Sequence, residues 1–149
     1  MSPRNALRSL ALLFLLPLAA AAEPPRRVVV DGLGRLPAFS HATVAGDLIF
    51  VSGTLGTQPG GLKLVPGGVG PETAQALRNI EKILASQGAA LADVAKCTVF
   101  LHDMQDFAAM NEAYIPLFAG SPPARSTIAV EGLALDARVE IECIAARPT

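Results

Sequence analysis

Residues 137–146, ARVEIECIAA, alternate with a period of two. Val139, Ile141, Cys143 and Ala145 share one side of an extended chain, and Glu140, Glu142 and Ile144 share the other. Such a strand belongs in a sheet that packs one face on a core, so the chain must supply a second layer to cover that face. Two stretches can do so. Between Pro71 and Gly88, Ala76, Leu77, Ile80, Ile83 and Leu84 recur at helical spacing. Pro71 suits a first helical turn, where no amide hydrogen is needed, and Gly88 suits the C-terminal cap. Phe107, Met110, Tyr114 and Leu117 form a second stripe, which Asp106 is placed to cap and Gly120 to stop.

The remaining strands are short. Val28–Val30 reads as one, closed by Gly32 and Gly34. SHATVAGDLIFVSG reads as a hairpin, with strands at His41–Val44 and Leu48–Ser52 and a turn at 45–47. Residues 54–71 are rich in Gly and Pro and read as a long loop with a brief extended piece at Leu62–Val65. VAKCTVFL, 94–101, reads as a buried strand, and Ser126–Val130 as another. An opening hairpin followed by strand, helix, strand, helix, strand and strand predicts an α+β fold with both helices on one face of a mixed sheet. The other face stays open within one chain, which favours oligomerisation.

The first 22 residues read differently. Arg4 and Arg8 precede an apolar run from Leu10 to Leu18, and Ala20-Ala21-Ala22 then offers a small-residue cleavage site before Glu23. That is the layout of a secretory signal peptide. The apolar run is shorter than the about 20 residues a span requires. The expectation is a signal peptide at 1–22, a single domain at 23–149, a periplasmic or secreted product, and no membrane attachment after cleavage.

Removing that segment takes two of the 12 Lys+Arg and none of the 13 Asp+Glu, moving the net charge from −1 to −3. No basic run remains to neutralise phosphates and no aromatic ladder to stack bases, so nucleic-acid binding is not expected. His41 and His102 share no metal-ligand spacing with each other or with Cys97 and Cys143, and there is no C-x-x-C. Neither a metal nor another cofactor is expected.

SPPARSTIAV, 121–130, places Arg125 where two prolines feed a strand. A lone arginine there is ordinarily a surface or salt-bridging residue. Its context gives it another reading. DLIFVSG, DFAAMNEAYIPLF, PPARSTIAV and VEIECIAA together resemble the Rid family, the YjgF-type reactive intermediate deaminases, from about Pro37 to Arg147. The resemblance implies a chorismate-mutase-like fold and a homotrimer with ligand clefts between subunits. It implies hydrolysis of a 2-imino acid, or its enamine tautomer, to a 2-keto acid and ammonia. It gives Arg125 the substrate carboxylate and Glu140 the attacking water, with Ser52 and Asn111 lining the cleft. Phe39 stands where family members often carry a tyrosine, so the ring is kept and the hydroxyl lost, and His41 falls beside the cleft.

The chemistry agrees with the residues present. An iminium carbon is already electrophilic, so the protein need only hold the acid, place a water and move protons. A guanidinium grips a carboxylate bidentately. The alternatives are a non-catalytic trimeric binder of small carboxylates and an endoribonuclease, the latter disfavoured by the acidic charge. The family sheet would also set the strands of Cys97 and Cys143 side by side. Since a disulfide between directly paired strands is geometrically awkward, two buried thiols are expected.

Overall fold

The computed structural model of the protein describes residues 23–148. The signal-peptide reading of residues 1–22 lies outside the described residues. The elements are β1 (Arg26–Val28), β2 (Ala42–Ala45), β3 (Leu48–Leu55), α1 (Val69–Ala85), β4 (Val94–Leu101), α2 (Phe107–Tyr114), β5 (Ala124–Ala129) and β6 (Val139–Ala146). The strands form one sheet in the order β1-β2-β3-β6-β4-β5. Only β4 and β5 run parallel, and the other neighbours are antiparallel. The expected α+β fold, with two helices on one face of a mixed sheet, is the one observed.

The last strand behaves as its alternation requires. Val139, Ile141, Cys143 and Ala145 are buried, while Glu140 and Ile144 are half-buried and Glu142 is exposed. On the covered side, Ala76, Leu77, Ile80, Ile83 and Leu84 of α1 are at most 1 % exposed. Met110 and Tyr114 of α2 join them in one core with Ile49, Val99 and Leu101 from the sheet. Glu72 in the first turn of α1 and Lys82 in the last both suit the helix dipole. Asn79 ties α1 to the end of β3, its side-chain amide donating to the carbonyls of Leu55 (3.1 Å) and Thr57 (3.0 Å). On the uncovered face, Leu48, Phe50 and Ile128 are 40–47 % exposed.

Four local expectations change. The first strand lies at Arg26–Val28 rather than 28–30, because the Val30 amide donates to the His41 ring instead of to a neighbouring strand. Asp106 does not cap α2: its carboxylate takes Arg138, with Nε at 2.8 Å and Nη2 at 2.6 Å. Asp103 caps the preceding 3-10 turn instead, accepting from the Gln105 amide at 2.9 Å. The second helix tightens after Tyr114 into a 3-10 turn at Ile115–Phe118, which buries Phe118 more deeply than Leu117 and leaves Phe107 39 % exposed.

The cysteines are the fourth. Cys97 and Cys143 are Cα partners on adjacent antiparallel strands and form a disulfide across a Cα–Cα separation of 4.1 Å. The expectation of two thiols fails because facing residues of an antiparallel pair approach to about 4.5 Å where the backbones are not hydrogen-bonded to each other. Both cysteines are buried on the helix-covered side, 1 % and 2 % exposed.

Candidate functional site

Residues 124–129 hold β5 at the edge of the sheet, beside β4. Arg125 aligns there with Cys97, which in turn faces Cys143, so its side chain leaves the sheet on the helix side. It meets α2. The guanidinium carbon lies 4.7 Å from the centre of the Tyr114 ring and 5.7 Å from that of Phe107. Nη1 approaches the Met110 sulfur at 3.9 Å. Among the described residues Arg125 has no carboxylate partner. It opens into a cleft lined also by Asn111, Tyr114, Pro122 and Pro123. The two prolines fix the approach to the strand, as the sequence suggested.

That corner holds an unusual concentration of polar atoms without partners. Asn111 Oδ1, the Tyr114 hydroxyl and Thr127 Oγ1 are all buried and make no hydrogen bond within the described chain. Burial lifts the Tyr114 phenol to about 12, against a smaller opposing effect of the Arg125 charge, so it remains a neutral hydroxyl.

Glu140 lies elsewhere. It aligns with Phe100, whose β5 partner is Ile128, on the face opposite Arg125. Its carboxyl reaches a second cleft, shared with Phe39, His41, Ser52 and Gly53. The irregular register of β3 between Val51 and Thr54 makes room for it: a Cβ placed on Gly53 would overlap Glu140 Oε1. Gly53 is the cleft residue that the sequence reading missed, and a glycine inside an apolar strand is the signal that marks such a bulge. Among the described residues Glu140 makes neither a hydrogen bond nor an ion pair. Burial, and secondarily the neighbouring charge of Glu142, holds its pKa above the ordinary value. A carboxyl so placed exchanges protons closer to neutrality than a solvated one.

The other two polar neighbours have structural tasks. Ser52 donates to the Ser40 carbonyl at 2.7 Å. His41 is 5 % exposed, and its Nδ1 accepts from the Val30 amide at 2.9 Å, leaving Nε2–H toward the Gly34 carbonyl at 3.4 Å. Desolvation lowers its pKa, partly offset by the Gly34 contact. It is a neutral ring that shapes the cleft wall.

One chain therefore divides the five expected residues into two sets. Phe39, Ser52 and Glu140 share one cleft, and Arg125 and Asn111 share another. No group of three His, Cys, Asp or Glu among the described residues could hold a metal ion.

Residues 33–147 match the family model described as Endoribonuclease L-PSP. A rat protein named 2-iminobutanoate/2-iminopropanoate deaminase is 44 % identical over 108 residues, which cover 72 % of this chain and 79 % of that protein. The crystal structure of YEO7 from yeast superposes with a TM-score of 0.79 at 33 % identity, covering 84 % of this chain and 100 % of the other. The crystal structure of E. coli TdcF with bound serine gives 0.74 at 27 % identity, covering 83 % of this chain and 100 % of the other.

Proposed function

The chain belongs to the endoribonuclease L-PSP family, the Rid or YjgF-type proteins, and from that premise we propose that it hydrolyses 2-imino acids to 2-keto acids and ammonia. The observation that carries this reading is Glu140: an unbonded carboxyl with a raised pKa in a cleft that a glycine bulge keeps open.

The steps need only the groups present. The substrate enters as its iminium, R–C(=NH2+)–COO−. Glu140 accepts a proton as a water oxygen bonds to the iminium carbon, giving a tetrahedral aminoalcohol. It returns that proton to nitrogen and then takes the hydroxyl proton as C=O forms and the C–N bond breaks, so that the keto acid and ammonia leave and the remaining proton passes to ammonia as ammonium. Arg125 holds the carboxylate through a two-pronged contact and keeps the carbon in line. The sequence after residue 22 holds no run of Lys or Arg longer than the pair Arg26-Arg27, so it lends no support to a phosphate-binding reading.

Arg125 and Glu140 serve one substrate only if a second copy of the chain brings them together. We assign the working site to the cleft between subunits of a homotrimer, with Arg125 and Asn111 from one copy and Glu140, Ser52 and Phe39 from the next. Two features support that assembly: the apolar face bearing Leu48, Phe50 and Ile128, and the three unpartnered polar atoms beside Arg125. Periplasmic or secreted localisation is likewise proposed. The signal-peptide layout motivates it and the disulfide is in keeping with it, because such bonds persist in oxidising compartments.

The test generates imines in place with an amino-acid oxidase and follows their loss. Faster loss in the presence of the protein, saturating with substrate, is expected. Saturable binding of keto acids without any acceleration would make it a carrier of small carboxylates instead.

A further inference from the structure

Resting on the deaminase reading, the wall of the Glu140 cleft adds a statement about which imino acids enter it. Five large apolar side chains line that wall: Leu33, Phe39, Leu55, Leu62 and Ile83. They come from four separate places, namely the segment before β2, the end of β3, the Gly/Pro-rich loop and α1. Leu62 and Phe39 stand at the mouth, each 39 % exposed, and Ile83 lies at the base, 1 % exposed.

Most polar residues of the same wall have their donors engaged, the exception being Thr57, whose hydroxyl accepts from the Asn79 amide at 3.4 Å. Ser52 donates to Ser40, and Thr54 donates to the Ser52 carbonyl at 2.8 Å. The amide of Asn79 bonds Leu55 and Thr57, and its oxygen accepts from Gln75 at 2.9 Å. His41 faces backbone partners with both ring nitrogens. Phe39 offers a ring and no hydroxyl. Glu140 is thus the single polar side chain of the cup without a partner among the described residues, and everything around it is hydrocarbon or already bonded.

We propose that this cup receives the side chain of the substrate and selects 2-imino acids with bulky apolar groups, such as those formed from leucine, methionine or phenylalanine, over those formed from alanine or serine. A polar substrate side chain would lose water there and find few free donors. An apolar one gains roughly fourfold in affinity for each buried methylene. The three additional carbons of a leucine-derived substrate relative to an alanine-derived one then correspond to a preference on the order of tens, within the range an apolar pocket reaches. The reaction supplying such substrates is oxidation of apolar amino acids at the α-carbon, rather than β-elimination from hydroxyamino acids.

Two measurements on the full-length mature protein test this. Calorimetry compares binding of 4-methyl-2-oxopentanoate with pyruvate, and the oxidase-coupled assay compares kcat/KM for the leucine- and alanine-derived imines. At least tenfold tighter binding of the larger keto acid is expected, with kcat/KM in the same direction. Leu62→Ser, at an exposed loop position, should shrink the binding ratio by about threefold or more while the thermal midpoint stays close to the parent's. Equal or tighter binding of pyruvate would overturn the cup as a selector, whatever the turnover. Selective binding with no turnover would instead remove the deaminase reading and leave the selectivity standing.

Discussion

Arg125 is a charge held ready by aromatic rings. Its guanidinium stacks on Tyr114 and approaches Phe107, with no carboxylate among the described residues to neutralise it. Replacing it therefore touches two properties of different size. Arg125→Ala should lower kcat/KM by the worth of a charge-assisted contact, about 2–5 kcal/mol, and destabilise the fold by only about 1 kcal/mol through the lost ring contact. Arg125→Lys should recover little activity, since an ammonium cannot reproduce the fork. Steady-state kinetics beside thermal melts separate the two effects, and an Arg125→Ala enzyme with parental kcat/KM would reduce the residue to a surface group. Glu140 makes an opposite claim on stability. Burial raises its pKa above 4.5, so the folded state favours the protonated acid. That contribution is whole below the unfolded value and is lost as pH rises through the folded one. Glu140→Gln removes the ionisation. The variant should gain thermal stability over the parent near pH 7, and the gap should close by about pH 4, while turnover falls and keto-acid binding persists. A gap independent of pH would show that Glu140 is not held against its charge.

At the scale of elements, periodic patterns were readable and pairings were not. The alternation of 137–146 and the stripe of α1 gave two layers because each depends only on neighbours along the chain. The family motif brought out Arg125, Glu140, Phe39, Ser52 and Asn111, but no one-dimensional reading could divide them between two clefts, since that follows from strand order and side. The cysteines illustrate the limit. Their shared apolar phase was visible in sequence, yet the register that sets them face to face passes through an irregularity between Val94 and Lys96. Asp106 failed as a cap for a related reason: Arg138, distant in sequence, competes for its carboxylate. The disulfide yields a direct prediction. It closes a loop with a sequence separation of 46, for which chain-entropy arguments give about 4 kcal/mol. Denatured, unreduced protein should show no free thiol, and reduction or Cys97→Ala with Cys143→Ala should lower the melting temperature markedly. Detection of two thiols in the untreated mature protein would restore the earlier expectation.

For the whole molecule, the proposed homotrimer would cover the open sheet face and complete the divided site with one and the same partner. Leu48, Phe50 and Ile128 give an apolar surface to cover, and the fold of one chain places Arg125 and Glu140 on opposite sides of the sheet. Solution scattering at micromolar concentration should return three times the protomer mass, and a monomeric mass would sink the composite site along with the assembly. One consequence of the disulfide bears on survival among peptidases. The bond makes residues 97–143 a covalent ring that contains α2, β5 and the exposed turn around Gly120 and Ser121. A cut in that turn opens the ring without freeing a fragment, so Asn111 and Arg125 remain on one connected molecule. A cut in the Gly/Pro-rich stretch before α1 has no such protection, because it severs β1, β2 and β3 from every covalent tie to the rest. A single nick between residues 97 and 143 therefore leaves one covalently connected chain, whereas a nick before residue 97 leaves two.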